Sequence, residues 1–138
     1  IDVIFFRYTM LIPYLIFYVS FFISIFAIHN KMRRRMEKIE IEEKIVAMLK
    51  TVYDPEIPVN VYDLGLIYKI DVSDTGEVVL DMTLTAPNCP AADFIMEDIR
   101  QKVESVEGVT AATINLVFEP EWDKDMMSEE AKLELGFL

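Results

Sequence analysis

The chain is poor in the residues from which most catalytic and metal centres are built. Its 138 residues include one cysteine (Cys89), one histidine (His29), one tryptophan and four glycines. A single cysteine excludes an intrachain disulfide and says little more about redox compartment. With His29 the only histidine, one chain cannot close a Cys/His zinc site. The same scarcity removes a Cys–His or Ser–His catalytic pair from the C-terminal body, which counts strongly against a hydrolase. No glycine falls in a G-x-G-x-x-G or G-K-[ST] pattern, so nucleotide-binding loops of those kinds are excluded.

Charge is divided unevenly. Of 24 acidic and 13 basic side chains, only Asp2 and five cations (Arg7, Lys31, Arg33, Arg34, Arg35) fall in residues 1–35. Residues 36–138 therefore hold 23 acidic and 8 basic side chains, net −15. Nucleic-acid phosphates and anionic membrane surfaces repel such a body, so no nucleic-acid partner is expected. It suits a cytoplasmic protein that meets basic partners or cations.

Residues 1–35 are of another kind. Tyr8 to Ile28 is a run of 21 residues without a charge, long enough for a bilayer core of about 30 Å. Lys31, Arg33, Arg34 and Arg35 follow it, and by the positive-inside rule would keep the body in the cytoplasm. No small-residue cleavage site follows, which argues against a removed signal peptide. The chain starts with Ile1, and Met32 and Met36 stand where the soluble pattern begins. Residues 1–35 are thus expected to be an over-extended gene start or, as the competing reading, a genuine membrane anchor. Residues 36–138 form the functional domain.

Within that domain, Ile41, Ile45, Leu49 and Val52 recur at helical spacing and predict an amphipathic helix over about 39–52. Asp54-Pro55-Glu56-Ile57-Pro58 is a stiff loop with two carboxylates. Leu64, Leu66, Tyr68, Ile70 and Val72 alternate, as do Val78, Leu80, Met82 and Leu84. With the turn at 73–76 between them they predict an antiparallel hairpin. Ala91, Ile95, Ile99, Val103 and Val106, plus Phe94, predict a second helix, ended by Gly108. Ala112, Ile114, Leu116 and Phe118 predict a third strand, and Ser128 caps a short last helix. The fold class is α+β: a two-layer α-β-β-α-β sandwich with helices on one face of a small mixed sheet.

Cys89 is the first site candidate. Pro90 suits the first position of the second helix, which puts Cys89 at the cap, its sulfur near the N–H groups of Ala91 and Ala92. Those groups and the helix dipole favour a thiolate, reactive or metal-ligating. Pro87 holds the approach extended and Thr85 ends the strand. The competing reading is a buried thiol acting as a small apolar residue. Asp54, Glu56 and Asp63 are carboxylates able to orient a partner, accept a proton or complete a metal shell, or else loop caps and solvated charges. Gly65 is expected inside the first strand, marking close approach of another group. Tyr62 and Tyr68 read as packing residues, and Trp122 as a cover at the core edge.

Three segments carry a resemblance: residues 54–60 (Asp-Pro-Glu-Ile-Pro-Val-Asn), residues 62–68 (Tyr-Asp-Leu-Gly-Leu-Ile-Tyr) and residues 85–90 (Thr-Ala-Pro-Asn-Cys-Pro). With the ending from Trp122 to Gly136, residues 38–138 resemble the iron–sulfur cluster assembly domain of SufT-like and PaaD-like proteins, factors of metal–sulfur cluster biosynthesis. A cysteine-rich C-terminal part like that of PaaD-like members is absent, so the resemblance is to SufT. It implies a non-enzymatic maturation factor that assists cluster assembly or delivery, with Cys89 as the functional thiol and metal ligand. Asp54, Glu56, Asp63, Thr85, Pro87 and Asn88 would line the same pocket. One thiolate cannot hold a cluster alone, since clusters usually take roughly four protein ligands. A transient cluster or iron would be shared with a partner or bridged by a homodimer; otherwise the protein is an adaptor. The implied partners are the iron–sulfur assembly machinery and client apoproteins, with a membrane only if residues 1–35 are genuine. The alternative is a thiol-dependent redox enzyme using Cys89, weakened by the lack of a resolving cysteine.

Overall fold

Apolar and charged residues run to Leu49 with Pro13 as the only proline, and it does not stop the helix. The computed structural model describes residues 2–55, 57–86 and 90–137, with side chains from residue 16 onward. In it α1 is one helix, Asp2–Leu49. The expected helix over 39–52 is therefore the end of a longer one, and it stops three residues early. Its last turn tightens: Thr51 N–H and Val52 N–H donate to the carbonyls of Met48 (2.9 Å) and Leu49 (3.1 Å), a three-residue pattern that satisfies terminal carbonyls.

The chain divides into two compact units, Ile1–Glu37 and Lys38–Leu138. In the first, the apolar side chains from Ile16 to Ile28 are exposed on all sides of the helix. Among the described residues no helix is long and apolar enough to cross a membrane.

The second unit is built on a three-stranded sheet in the order β1-β2-β3. β1 (Ile67–Val72) and β2 (Glu77–Met82) form the expected antiparallel hairpin, with Ile70 opposite Leu80 and Val72 opposite Val78. Ser73 makes the turn: its carbonyl accepts from Gly76 N–H (3.2 Å) and its hydroxyl from Glu77 N–H (2.9 Å). α2 (Ala92–Glu104) then crosses over to β3 (Ala111–Leu116), which lies parallel to β2 with Met82 beside Leu116. A helical crossover is the standard link between parallel neighbours. A 3-10 turn (Lys124–Met126) and α3 (Glu129–Glu134), capped by Ser128, end the chain.

The core lies on one face of this sheet. Val72, Val78, Leu80 and Met82 meet Ile45 and Leu49 of α1 and Ile95, Ile99 and Val103 of α2 in one buried cluster. Each side chain of this size contributes about 1.5–3 kcal/mol on full burial. The mixed sheet with its helices confirms the α+β class. Two details differ. Phe94 is 72% exposed rather than part of the buried stripe, because it falls off the four-residue spacing of Ile95, Ile99 and Val103. And β1 starts at Ile67, not Leu64: Gly65 sits in the preceding turn at φ +73, a left-handed conformation outside regular strand geometry.

Candidate functional site

Parallel β2 and β3 end side by side, and the chain leaving each end builds one wall of a cleft. Val117 N–H donates to the Met82 carbonyl (2.8 Å) and Thr83 N–H to the Leu66 carbonyl (2.8 Å), which fixes both exits. The cleft, of about 390 Å³, is lined by Thr83, Leu84 and Thr85 on one side and Phe118, Glu119, Glu121 and Trp122 on the other. Ligand sites in α/β sheets gather at the carboxyl ends of parallel strands. The chain leaves β2 here, ahead of α2.

Trp122 ties this corner to the loop before β1. Its indole N–H donates to the Leu64 carbonyl (2.9 Å), and it packs half-buried against the core, as expected of a cover at the core edge. Tyr68 donates to the Pro120 carbonyl (2.9 Å), so it packs and anchors. Tyr62 is exposed at the surface with the Lys50 ammonium 5.5 Å from its ring centre; the packing expectation does not hold for it. Gly65 does mark a close approach, but of backbone: a Cβ there would collide with the Met126 carbonyl.

The expected site residues fall out as follows. Thr85 lines the cleft, half-buried. Asp54 is buried in the loop after α1, with its N–H facing the Val59 carbonyl (3.4 Å). Asp63 is a loop cap. It accepts from Asn60 Nδ2 (2.6 Å), its own N–H donates to Asn60 Oδ1 (2.8 Å), and Lys50 stands 3.5 Å away. The Asp63 carbonyl takes the Ser128 N–H (2.8 Å). Glu56, Pro87, Asn88 and Cys89 lie outside the described residues. The start of α2 corrects the capping expectation: the helix begins at Ala92, its cap is Ala91 and no side chain bonds there. Pro90 and Ala91 form a turn instead of the first helical residues. Among the described residues no group of three or more His, Cys, Asp or Glu could hold a metal ion.

Thr83, Leu84, Phe118, Glu119, Glu121 and Trp122 are not among the expected site residues. Pairing Met82 with Leu116 would have found them, since the residues after each strand must then emerge together.

Fold and cleft together define a small α+β domain with a cleft at the end of a parallel strand pair. Residues 42–115 match the family described as iron-sulfur cluster assembly protein, and the chain belongs to that family. The resemblance seen in its motifs is borne out. An Fe-S protein maturation auxiliary factor of Porphyromonas gingivalis is 72% identical over 102 residues, which cover 74% of this chain and 97% of that one. SufT of Staphylococcus aureus, also an Fe-S protein maturation auxiliary factor, is 39% identical over 85 residues, 62% of this chain and 97% of its own. A crystal structure of a domain of unknown function from Bacillus anthracis aligns with a TM-score of 0.71 at 34% identity, covering 75% of this chain and 99% of that one.

Proposed function

We propose that the protein is a non-enzymatic maturation factor that delivers iron–sulfur clusters or iron to client apoproteins, with Cys89 as the working thiol. The observation that carries this reading is membership of the assembly family together with the placement of the cleft. Thr83 to Thr85 line the cleft and stand shortly before Cys89 in the sequence. The cargo is shared, because this chain has one thiolate to offer and clusters take roughly four protein ligands. A partner protein or a second copy supplies the remainder. Glu119 and Glu121 add negative charge to the cleft rim, which favours a cationic cargo.

Aconitase activity in a deletion strain tests this. Wild type is expected to restore it, and Cys89→Ser to restore about a tenth or less. Anaerobic reconstitution with iron and sulfide is expected to give visible absorption that Cys89→Ser loses. Equal rescue by both chains would remove the cysteine from the mechanism. Rapid peroxide consumption by wild type would move the reading to a thiol redox enzyme.

A further inference from the structure

We propose that the free edge of β3, with the groove between β3 and α2, is a docking surface for an extended cationic segment of a partner protein. β3 has one neighbour in the sheet, β2. The Val117 N–H on the Met82 carbonyl continues a ladder in which odd-numbered residues turn their backbone groups toward β2. Backbone groups alternate in direction along a strand, so Ala112, Ile114 and Leu116 turn theirs away. The Ala112 N–H agrees, reaching the Glu104 carboxylate at 3.4 Å. Ile114 and Leu116 then present N–H and C=O groups along an edge that no described strand covers. β3 reads Ala-Ala-Thr-Ile-Asn-Leu, with none of the charges or prolines that usually blunt an edge strand. An open edge of this kind accepts an added strand.

The adjoining groove decides which strand. It has a volume of about 230 Å³ and is lined by Asp93, Met96, Glu97, Arg100 and Ile114. Met96 and Ile114 are half-buried and give it an apolar floor. Arg100 is held between Glu97 (2.6 Å) and Glu104 (2.9 Å), so its charge is already compensated. Asp93 is exposed and makes no ion pair among the described residues. The rim is therefore negative. A second copy paired edge to edge would bring two such rims together, whereas a strand alternating cationic and apolar residues complements both edge and rim. The surface rests on the maturation reading for the kind of partner, a client or assembly protein, and not for the contact itself.

Titration of the isotope-labelled full chain with an acetylated Lys-Val-Lys-Ile-Lys-Val-Lys amide tests this. The amide resonances of Ile114 and Leu116 are expected to shift and to gain protection from hydrogen exchange. The counterpart peptide with glutamate for every lysine is expected not to bind. Asp93→Lys, at an exposed position, is expected to weaken binding about tenfold, and Ile114→Pro, which removes an outward N–H, to abolish it. If Ile114→Pro does not fold, Asp93→Lys decides. No shift, shifts centred away from β3, equal binding of both peptides, or self-association through β3 without peptide would each overturn the proposal. Cys89→Ser is expected to bind the peptide as wild type does. Full client rescue by Cys89→Ser with peptide binding intact therefore counts against the thiol alone, and loss of rescue by Cys89→Ser with no peptide binding by wild type counts against the docking surface alone.

Discussion

Within α1, Phe22 and Phe26 are 65% and 66% exposed, whereas Ile45 and Leu49 have no exposed surface. All four are apolar residues in one helix. The difference is their spacing. From Ile16 to Ile28 apolar residues occupy nearly every position, so no face is set aside for packing and none for water. From Ile41 to Leu49 the stripe Ile41, Ile45 and Leu49 recurs at four-residue spacing, and Glu42, Glu43 and Lys44 interrupt the apolar run. Apolar content suffices to make a helix; a stripe is needed to place it on a sheet. A stretch apolar on every side asks instead for apolar surroundings on every side.

A matched pair of substitutions should show the largest contrast. Leu49→Ala removes a fully buried side chain and is expected to cost about 2–5 kcal/mol, cavity included. Phe22→Ala removes a larger side chain but is expected to change unfolding by less than about 0.5 kcal/mol. Urea unfolding of the two variants measures both. A comparable loss for Phe22→Ala would break the contrast and show that the apolar stretch is packed against something in solution.

Gly65→Ala is the next largest effect and tests the packed unit where it relies on backbone rather than side chains. The new Cβ meets the Met126 carbonyl, and the φ of +73 is unfavourable for alanine. The expected cost is about 2–4 kcal/mol. The amide resonances of Lys124 to Met127 should shift most, since that segment has to give way. A variant as stable as wild type would mean that the chain after Trp122 is loosely held.

The same contrast between local pattern and distant contact governs what the sequence revealed. The hairpin, its turn and α2 were legible because alternation and four-residue spacing are local signals. β1 was drawn three residues too long for a related reason: Leu64 and Leu66 keep the alternation while Gly65 turns the chain. The sequence pattern shows periodicity, not the sign of φ. The loop segments of the site were legible only as motifs. Asp63 stood open between chemistry and a loop cap, and it is a cap: Asn60, three residues upstream, donates to its carboxylate. Of the cleft wall from Phe118 to Trp122, the sequence showed only Trp122, and that as a cover at the core edge rather than as part of a site. The wall is held by bonds from Trp122 to Leu64 and from Tyr68 to Pro120, which span 58 and 52 residues. Contacts of that range leave no periodic trace.

The smallest expected effect sharpens the comparison on the solvated side. The exposed face of α2 has what the apolar stretch of α1 lacks: a charge network. Glu97 accepts from Arg100 (2.6 Å and 2.9 Å) and from Gln101 (2.7 Å). These bonds, Arg100 first, hold its carboxyl down at about 2, against 4.5 ordinarily. A folded-state value below the unfolded one favours the folded state at pH above the unfolded value. That contribution is lost as pH falls from 4.5 toward about 2. Glu97→Gln should therefore lower thermal stability slightly at neutral pH, and the gap to wild type should close on acidification through that window. The effect is small because the group is fully exposed and water screens the pair. Melting curves at a series of pH values, read as the difference between the two chains, check the sign. A gap that widens in acid would mean that Arg100 prefers Glu104, leaving Glu97 a spectator on the helix surface.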